Sequence, residues 1–170
     1  LPVGTQGSVK AVTPEQVAET GAQMILANTY HLSLRPGSDV VREAGGLHSF
    51  TGWKGPILTD SGGYQVFSLA ARCTITAEGA SFQSHLDGAR HPLTPERAVD
   101  IQARLGSDIA MVLDECLAYP ASPEAARLST ARSAQWARRC RERLLSLRDE
   151  PVDGVTVTNP GQGQFGIVQG

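Results

Sequence analysis

Four groups of polar residues follow short apolar runs. Asn28-Thr29-Tyr30-His31 follows residues 24–27, and Asp60-Ser61-Gly62-Gly63-Tyr64 follows residues 56–58. Asp114-Glu115-Cys116 follows residues 109–113, and Gln169 follows residues 165–168. Aspartates at such positions can move protons or accept hydrogen bonds from a ligand, and a tyrosine can offer it a stacking face. In the Asp60 group two adjacent glycines let the backbone approach a flat ligand that a Cβ would hold away. Each group alone has a plainer reading. An Asp after a strand is often a helix cap or turn former, and residues 60–64 could be a tight turn with a buried tyrosine. Four such groups in succession strengthen the chemical reading.

To act together, these residues must be carried by elements that converge. The four apolar runs read as buried parallel strands with helices or loops between them. Residues 36–44 are helix-forming and stop at Gly45-Gly46. Thr94-Pro95-Glu96 opens a helix that runs to about Leu105 before Gly106. Thr13-Pro14-Glu15-Gln16 is a capping-box start for a helix ending near Gly21, and Ser122-Pro123-Glu124 starts the longest helix, reaching to about Ser146. The outline is βαβαβαβ. Residues 73–93 break it by alternating apolar and polar residues around Glu78-Gly79 and Asp87-Gly88, which predicts an inserted β-hairpin or meander. An α/β barrel would bring the strand-end groups to one face, more tightly than an open doubly wound sheet would.

Composition narrows the classes. The chain has 170 residues, enough for one domain with a sizeable core, and residues 1–170 read as a single unit. With 15 basic and 17 acidic residues the net charge is −2, so any nucleic-acid contact must be local. No apolar run approaches the roughly 20 residues of a membrane helix, and Leu1-Pro2-Val3-Gly4 lacks a basic flank and an apolar signal core, so a cytoplasmic protein is expected. Cys73, Cys116 and Cys140 fit neither a disulfide framework nor a zinc spacing. His31, His48, His85 and His91 share no metal-ligand spacing, and His31 stands out only for its strand-end position. The run Arg127, Arg132, Arg138, Arg139, Arg141, Arg143 and Arg148 reads as a solvated helix face or a phosphate-facing stripe. The first residue is not methionine, and the chain stops at Gln169-Gly170 directly after an apolar run, so a fragment is expected.

Longer strings carry a resemblance. Leu1-Pro2-Val3-Gly4-Thr5-Gln6-Gly7, Asn28-Thr29-Tyr30-His31-Leu32, Leu34-Arg35-Pro36-Gly37, the stretch 55–68 around Asp60-Ser61-Gly62-Gly63-Tyr64-Gln65, Leu105-Gly106-Ser107-Asp108-Ile109, Asp114-Glu115-Cys116 and Phe165-Gly166-Ile167-Val168-Gln169-Gly170 resemble the bacterial-type tRNA-guanine transglycosylases, in the same order and across the whole chain. The resemblance implies a partial (β/α)8 TIM barrel with an inserted antiparallel β-element, the C-terminal strands and a zinc subdomain being absent from these residues. It implies a pentosyltransferase of queuosine biosynthesis that exchanges guanine at the tRNA wobble position for preQ1 or queuine through a covalent ribosyl intermediate. Partners would be tRNA, the base, and a second subunit as homodimer or family heterodimer, with no membrane.

By position, Asp60 resembles the family's general acid/base and Tyr64 the aromatic that stacks on the base. Asp114 resembles the carboxylate that accepts from N1 and the exocyclic amine of guanine, and Gln169 the amide at its carbonyl oxygen. Ser61, Gly62 and Gly63 would line the same pocket. Guanine's Watson–Crick edge offers two adjacent donors and an acceptor, which a carboxylate and an amide complement. The family's nucleophilic aspartate and its zinc ligands, a Cys-x-Cys-x-x-Cys cluster with a distant His, do not occur here, so this chain alone is not expected to turn over. Ala118 stands where relatives often have proline. Two other readings are a non-catalytic base- or tRNA-binding partner subunit, and a barrel glycoside hydrolase with Asp60 and Asp114 as its paired carboxylates. The second explains neither the Ser-Gly-Gly-Tyr turn nor Gln169.

Overall fold

A computed structural model describes residues 1–69, 73–84 and 88–168. Five strands, β1 (Val3–Gly4), β2 (Ile25–Ala27), β3 (Ile57–Thr59), β7 (Ile109–Met111) and β8 (Gly163–Phe165), form one parallel sheet. They lie side by side in chain order, β1-β2-β3-β7-β8. Each crossover steps the same way, whereas a doubly wound sheet reverses direction partway. This is the winding of a (β/α)8 barrel, of which these strands form part. The connections are α1 (Pro14–Glu19), then α2 (Thr29–Leu34), α3 (Ser38–Glu43) and α4 (Leu47–Thr51), then α5 (Gly63–Leu69) and α6 (Pro95–Leu105), and finally α7 (Pro123–Asp149).

Local signals account for the helices. The Thr13 hydroxyl accepts from Gln16 N–H while the Gln16 side chain accepts from Thr13 N–H, closing the capping box of α1. Thr94 caps α6 and Gly106, at φ 69°, ends it in the left-handed region that glycine adopts freely. In α7, which packs on α6, the buried positions 129, 133, 136, 140, 144 and 147 recur at helical spacing and form one inward face, which meets the Glu115 backbone through Ser129 and Ser133 and the inserted β-element through Trp136. Its arginines correct the reading of a solvated or phosphate-facing stripe for four of their number. Arg143 pairs with Asp100 (2.7 Å), Arg139 grips Glu96 with two nitrogens (2.7 and 2.8 Å), Arg132 pairs with Glu115, and Arg148 donates to the Gln162 carbonyl.

Three short antiparallel strands, β4 (Cys73–Ile75), β5 (Ala80–Gln83) and β6 (Arg90–Leu93), interrupt the barrel between α5 and α6, as the alternation in residues 73–93 predicts. Trp136 Nε1 donates to the Ala77 carbonyl (2.8 Å), so α7 holds the insert as well as the sheet. Phe82 of β5 packs on Tyr30 of α2, with ring centroids 5.2 Å apart.

The strand read at residues 165–168 lies earlier, at Gly163–Phe165. Its entry is set from below. Gln162, fully buried, donates to the Gln102 and Ser107 carbonyls (3.0 Å each), and Gly163 N–H donates to Asp108 O (2.7 Å). Pairing with β7 therefore starts at Ile109↔Gly163 and ends at Met111↔Phe165. The apolar run begins where pairing stops. A buried polar network continues inward, because Thr59 Oγ1 donates to Gln102 Oε1 (2.8 Å) and lies 2.7 Å from Ser107 Oγ. Thr59 thus faces the helix layer, while Leu26, Leu58 and Ile109 align across the opposite face.

Candidate active site

Asp60 follows β3, and its carboxylate is surrounded by donors from two strand ends. Thr29 N–H donates to Oδ1 (2.9 Å), as does Gly62 N–H (3.2 Å). Asn28 Nδ2 and Gln65 Nε2 donate to Oδ2, the latter at 3.0 Å. The Thr29 hydroxyl also donates to the Asp60 carbonyl (2.5 Å), so the ends of β2 and β3 are sewn together. Burial nevertheless pushes the Asp60 carboxyl above the ordinary carboxylate range, and the four hydrogen bonds only partly oppose it. Such a group holds a proton more readily than a surface aspartate, and once it has given the proton up, the amide donors stabilise and orient the carboxylate.

The turn after Asp60 is compact. Gly62 sits at φ 83°, and a Cβ there would lie 3.3 Å from Tyr30 N. Ser61 is buried, and its hydroxyl accepts from Gly63 N–H (3.3 Å). Gly63 opens α5 and rests on the next strand's loop, where a Cβ would come within 2.8 Å of the Asp114 carbonyl oxygen. Tyr64 is 63% exposed, and so leaves a face for a ligand; the plainer reading of a buried turn tyrosine does not hold.

Asp114 follows β7 and is 9% exposed. Cys116 Sγ donates to its Oδ2 at 3.8 Å. Burial, and then the charge of Asp114, push the Cys116 thiol up to about 11, which keeps it protonated and a weak nucleophile at neutral pH. The sequence-predicted residues Asp60, Ser61, Gly62, Gly63 and Tyr64 thus share one turn, and Asp114 adjoins it through Gly63. Gln169 lies outside the described residues, as does His85. His31 stacks edge-on against Tyr30 at 5.1 Å, whereas His48 sits elsewhere, with Nε2 2.9 Å from Asp108 Oδ2.

Sequence reasoning passed over two partners of Asp60. Asn28 carries the same strand-end signal as Asp60, and Gln65 belongs to the same string, yet neither stands out as a site residue until the fold brings positions 28 and 60 together. Among the described residues, no three His, Cys, Asp or Glu side chains lie together where they could hold a metal ion. The described residues do not fit a zinc site. No helix is long and apolar enough to cross a membrane among the described residues.

A family model described as queuine tRNA-ribosyltransferase matches residues 1–170. Curated proteins named queuine tRNA-ribosyltransferase align with the whole chain: that of Desulforudis audaxviator at 56% identity, that of Moorella thermoacetica at 55%, and that of Zymomonas mobilis at 52%. The chain spans 42% of the length of each of these relatives.

Proposed function

The chain belongs to the queuine tRNA-ribosyltransferase family, and from that premise we propose that it forms the base-recognition half of an enzyme that exchanges guanine at the tRNA wobble position for preQ1 or queuine. One observation supports this most: Asp60, a carboxyl raised by burial within a cage of four donors, opens the turn whose Gly63 packs on the backbone of the nearly buried Asp114. Cleaving the glycosidic bond leaves charge on the departing base, and Asp60 is the group to protonate it and to take the proton back from the incoming base. Asp114 accepts from N1–H and the exocyclic amine, Gln169 meets the carbonyl oxygen, and Ser61, Gly62 and Gly63 floor the pocket. Tyr64 stacks on the base, which enters from a single-stranded loop; such stacking contributes about 1–3 kcal/mol per base.

The carboxylate that attacks the ribose carbon, and the zinc ligands, would come from parts of the protein beyond these residues. A single domain continuing past residue 170, cytoplasmic and assembled as a homodimer or a family heterodimer, completes this reading. The test is guanine exchange into unmodified tRNA by the full-length protein, with Asp60→Asn and Asp114→Asn beside it. Exchange that collapses in both variants supports the reading. Tight base binding without any exchange in the unmutated protein would overturn it in favour of a non-catalytic partner subunit.

A further inference from the structure

We propose that the N-terminal half of α7 is a positioning device that fixes which acid of the pair Asp114-Glu115 faces the base. Glu115 is held at three points by that one helix. Its N–H donates to Ser133 Oγ (3.0 Å), its carbonyl accepts from Ser129 Oγ (3.1 Å), and its carboxylate is gripped by Arg132. Positions 129, 132 and 133 are one helical turn apart, so they present together on one face. Ser129 and Ser133 are buried, and only 11% of the Glu115 side chain is exposed.

Two adjacent acids make this register consequential. With Glu115 held by the helix, the neighbouring Asp114 carboxylate accepts from the Cys116 thiol (3.8 Å), and the Asp114 carbonyl oxygen lies against Gly63 of the Asp60 turn. A slip of one residue would offer the site a carboxylate one methylene longer. Two serines in the otherwise apolar buried stripe of α7 have no packing advantage over alanine, and their hydroxyls are used on the Glu115 backbone. The residues act through Asp114, and the inference therefore rests on the proposed base-recognition role of that carboxylate.

Discrimination between guanine and hypoxanthine, which lacks the exocyclic amine, separates positioning from mere stability. Both affinities are measured for the full-length protein, with Ser133→Ala, the conservative Ser133→Thr, Arg132→Lys and Asp114→Asn. A clamp that sets the aim of Asp114 predicts that Ser133→Ala and Arg132→Lys lower the guanine-to-hypoxanthine preference roughly fivefold, the scale of one net hydrogen bond, while Ser133→Thr restores it. A purely structural role would weaken both bases alike and leave the ratio unchanged, which would overturn the clamp. If Asp114→Asn itself left the ratio unchanged, the base-recognition role would fail and the clamp with it. A ratio lost in Asp114→Asn but kept in Ser133→Ala and Arg132→Lys would sink the clamp alone.

Discussion

Replacing Gly63 with alanine pits two effects of opposite sign against each other. Gly63 is the first residue of α5, and alanine there removes backbone freedom from the unfolded chain, favouring the fold by at most about 1 kcal/mol. The new Cβ would lie 2.8 Å from the Asp114 carbonyl oxygen, about 0.6 Å inside the 3.4 Å of ordinary contact, and 3.3 Å from both Leu113 Cδ1 and Ser61 Oγ. Neither wall retreats easily. Asp114 precedes the residue that α7 grips through Ser129, Arg132 and Ser133, and the Gly63 side is anchored through Asp60 to Thr29. Overpacking of this kind costs about 1–3 kcal/mol, so the steric term wins and the variant is destabilised by about 1–2 kcal/mol. Because the clash separates the Asp60 turn from the Asp114 loop, guanine affinity falls as well, roughly fivefold, the scale of one net hydrogen bond. The assay is denaturant unfolding and base titration of the full-length protein. A Gly63→Ala variant as stable as its parent, with unchanged affinity, would refute the argument that this contact couples the two strand ends.

Asp60→Asn should abolish exchange and also alter the pH dependence of stability. The Asp60 carboxyl is raised above its ordinary 3.8, so the proton favours the native state; that stabilisation is complete below the unfolded value and is lost as pH rises through the native one. Relative to the parent, Asp60→Asn should therefore gain stability as pH rises above the ordinary aspartate value, and a variant-minus-parent difference in denaturant midpoints that stays flat or falls over that rise would contradict this. Arg143→Met leaves the nearly buried Asp100 without its main partner and should cost about 3 kcal/mol; a double Asp100→Leu, Arg143→Met variant should recover most of it, and equal midpoints for single and double variants would show otherwise. The Cys116 and Cys140 thiols, both pushed up to about 11, should resist iodoacetamide at pH 7.5 in the native protein, whereas prompt labelling of either, read by mass spectrometry, would show that burial does not hold it protonated.

The parts of the fold that were legible in the sequence are those whose determinants are local. α6 runs from the Thr94 cap to the Gly106 stop as read, and α7 overshoots the expected Ser146 by only a few residues. The parallel strands were visible as apolar runs, but their bounds depend on partners. β8 starts early because Gln162, a residue with no periodic signal, is tied to Gln102 and Ser107 some 55 to 60 positions away. β1 escaped notice because two residues, one of them glycine, carry no alternation, and α2 because its sequence is the strand-end motif itself. The arginines of α7 show the same limit. Their spacing fits solvent, phosphate or internal carboxylates equally well, and only the packing of α6 and the Asp114 loop against the helix decides among them.

The candidate site was legible in kind and not in assembly. Residue types at strand ends identified Asp60, Tyr64 and Asp114, whereas the cage around Asp60 spans residues 28 to 65 and exists only once β2 and β3 are neighbours. That cage also bears on whether Asp60 serves chemistry or stability. A carboxylate kept for stability alone would be expected to have its burial outweighed by its partners and its acidity strengthened, as happens at Glu96, where burial is overcome only by Arg139, the Glu96 backbone N–H and Thr94 together. At Asp60 four donors surround the group and burial still prevails. Burial thus disfavours the charged carboxylate at Asp60, where two strand ends meet beside the exposed Tyr64, and local conflicts of that kind concentrate at functional sites.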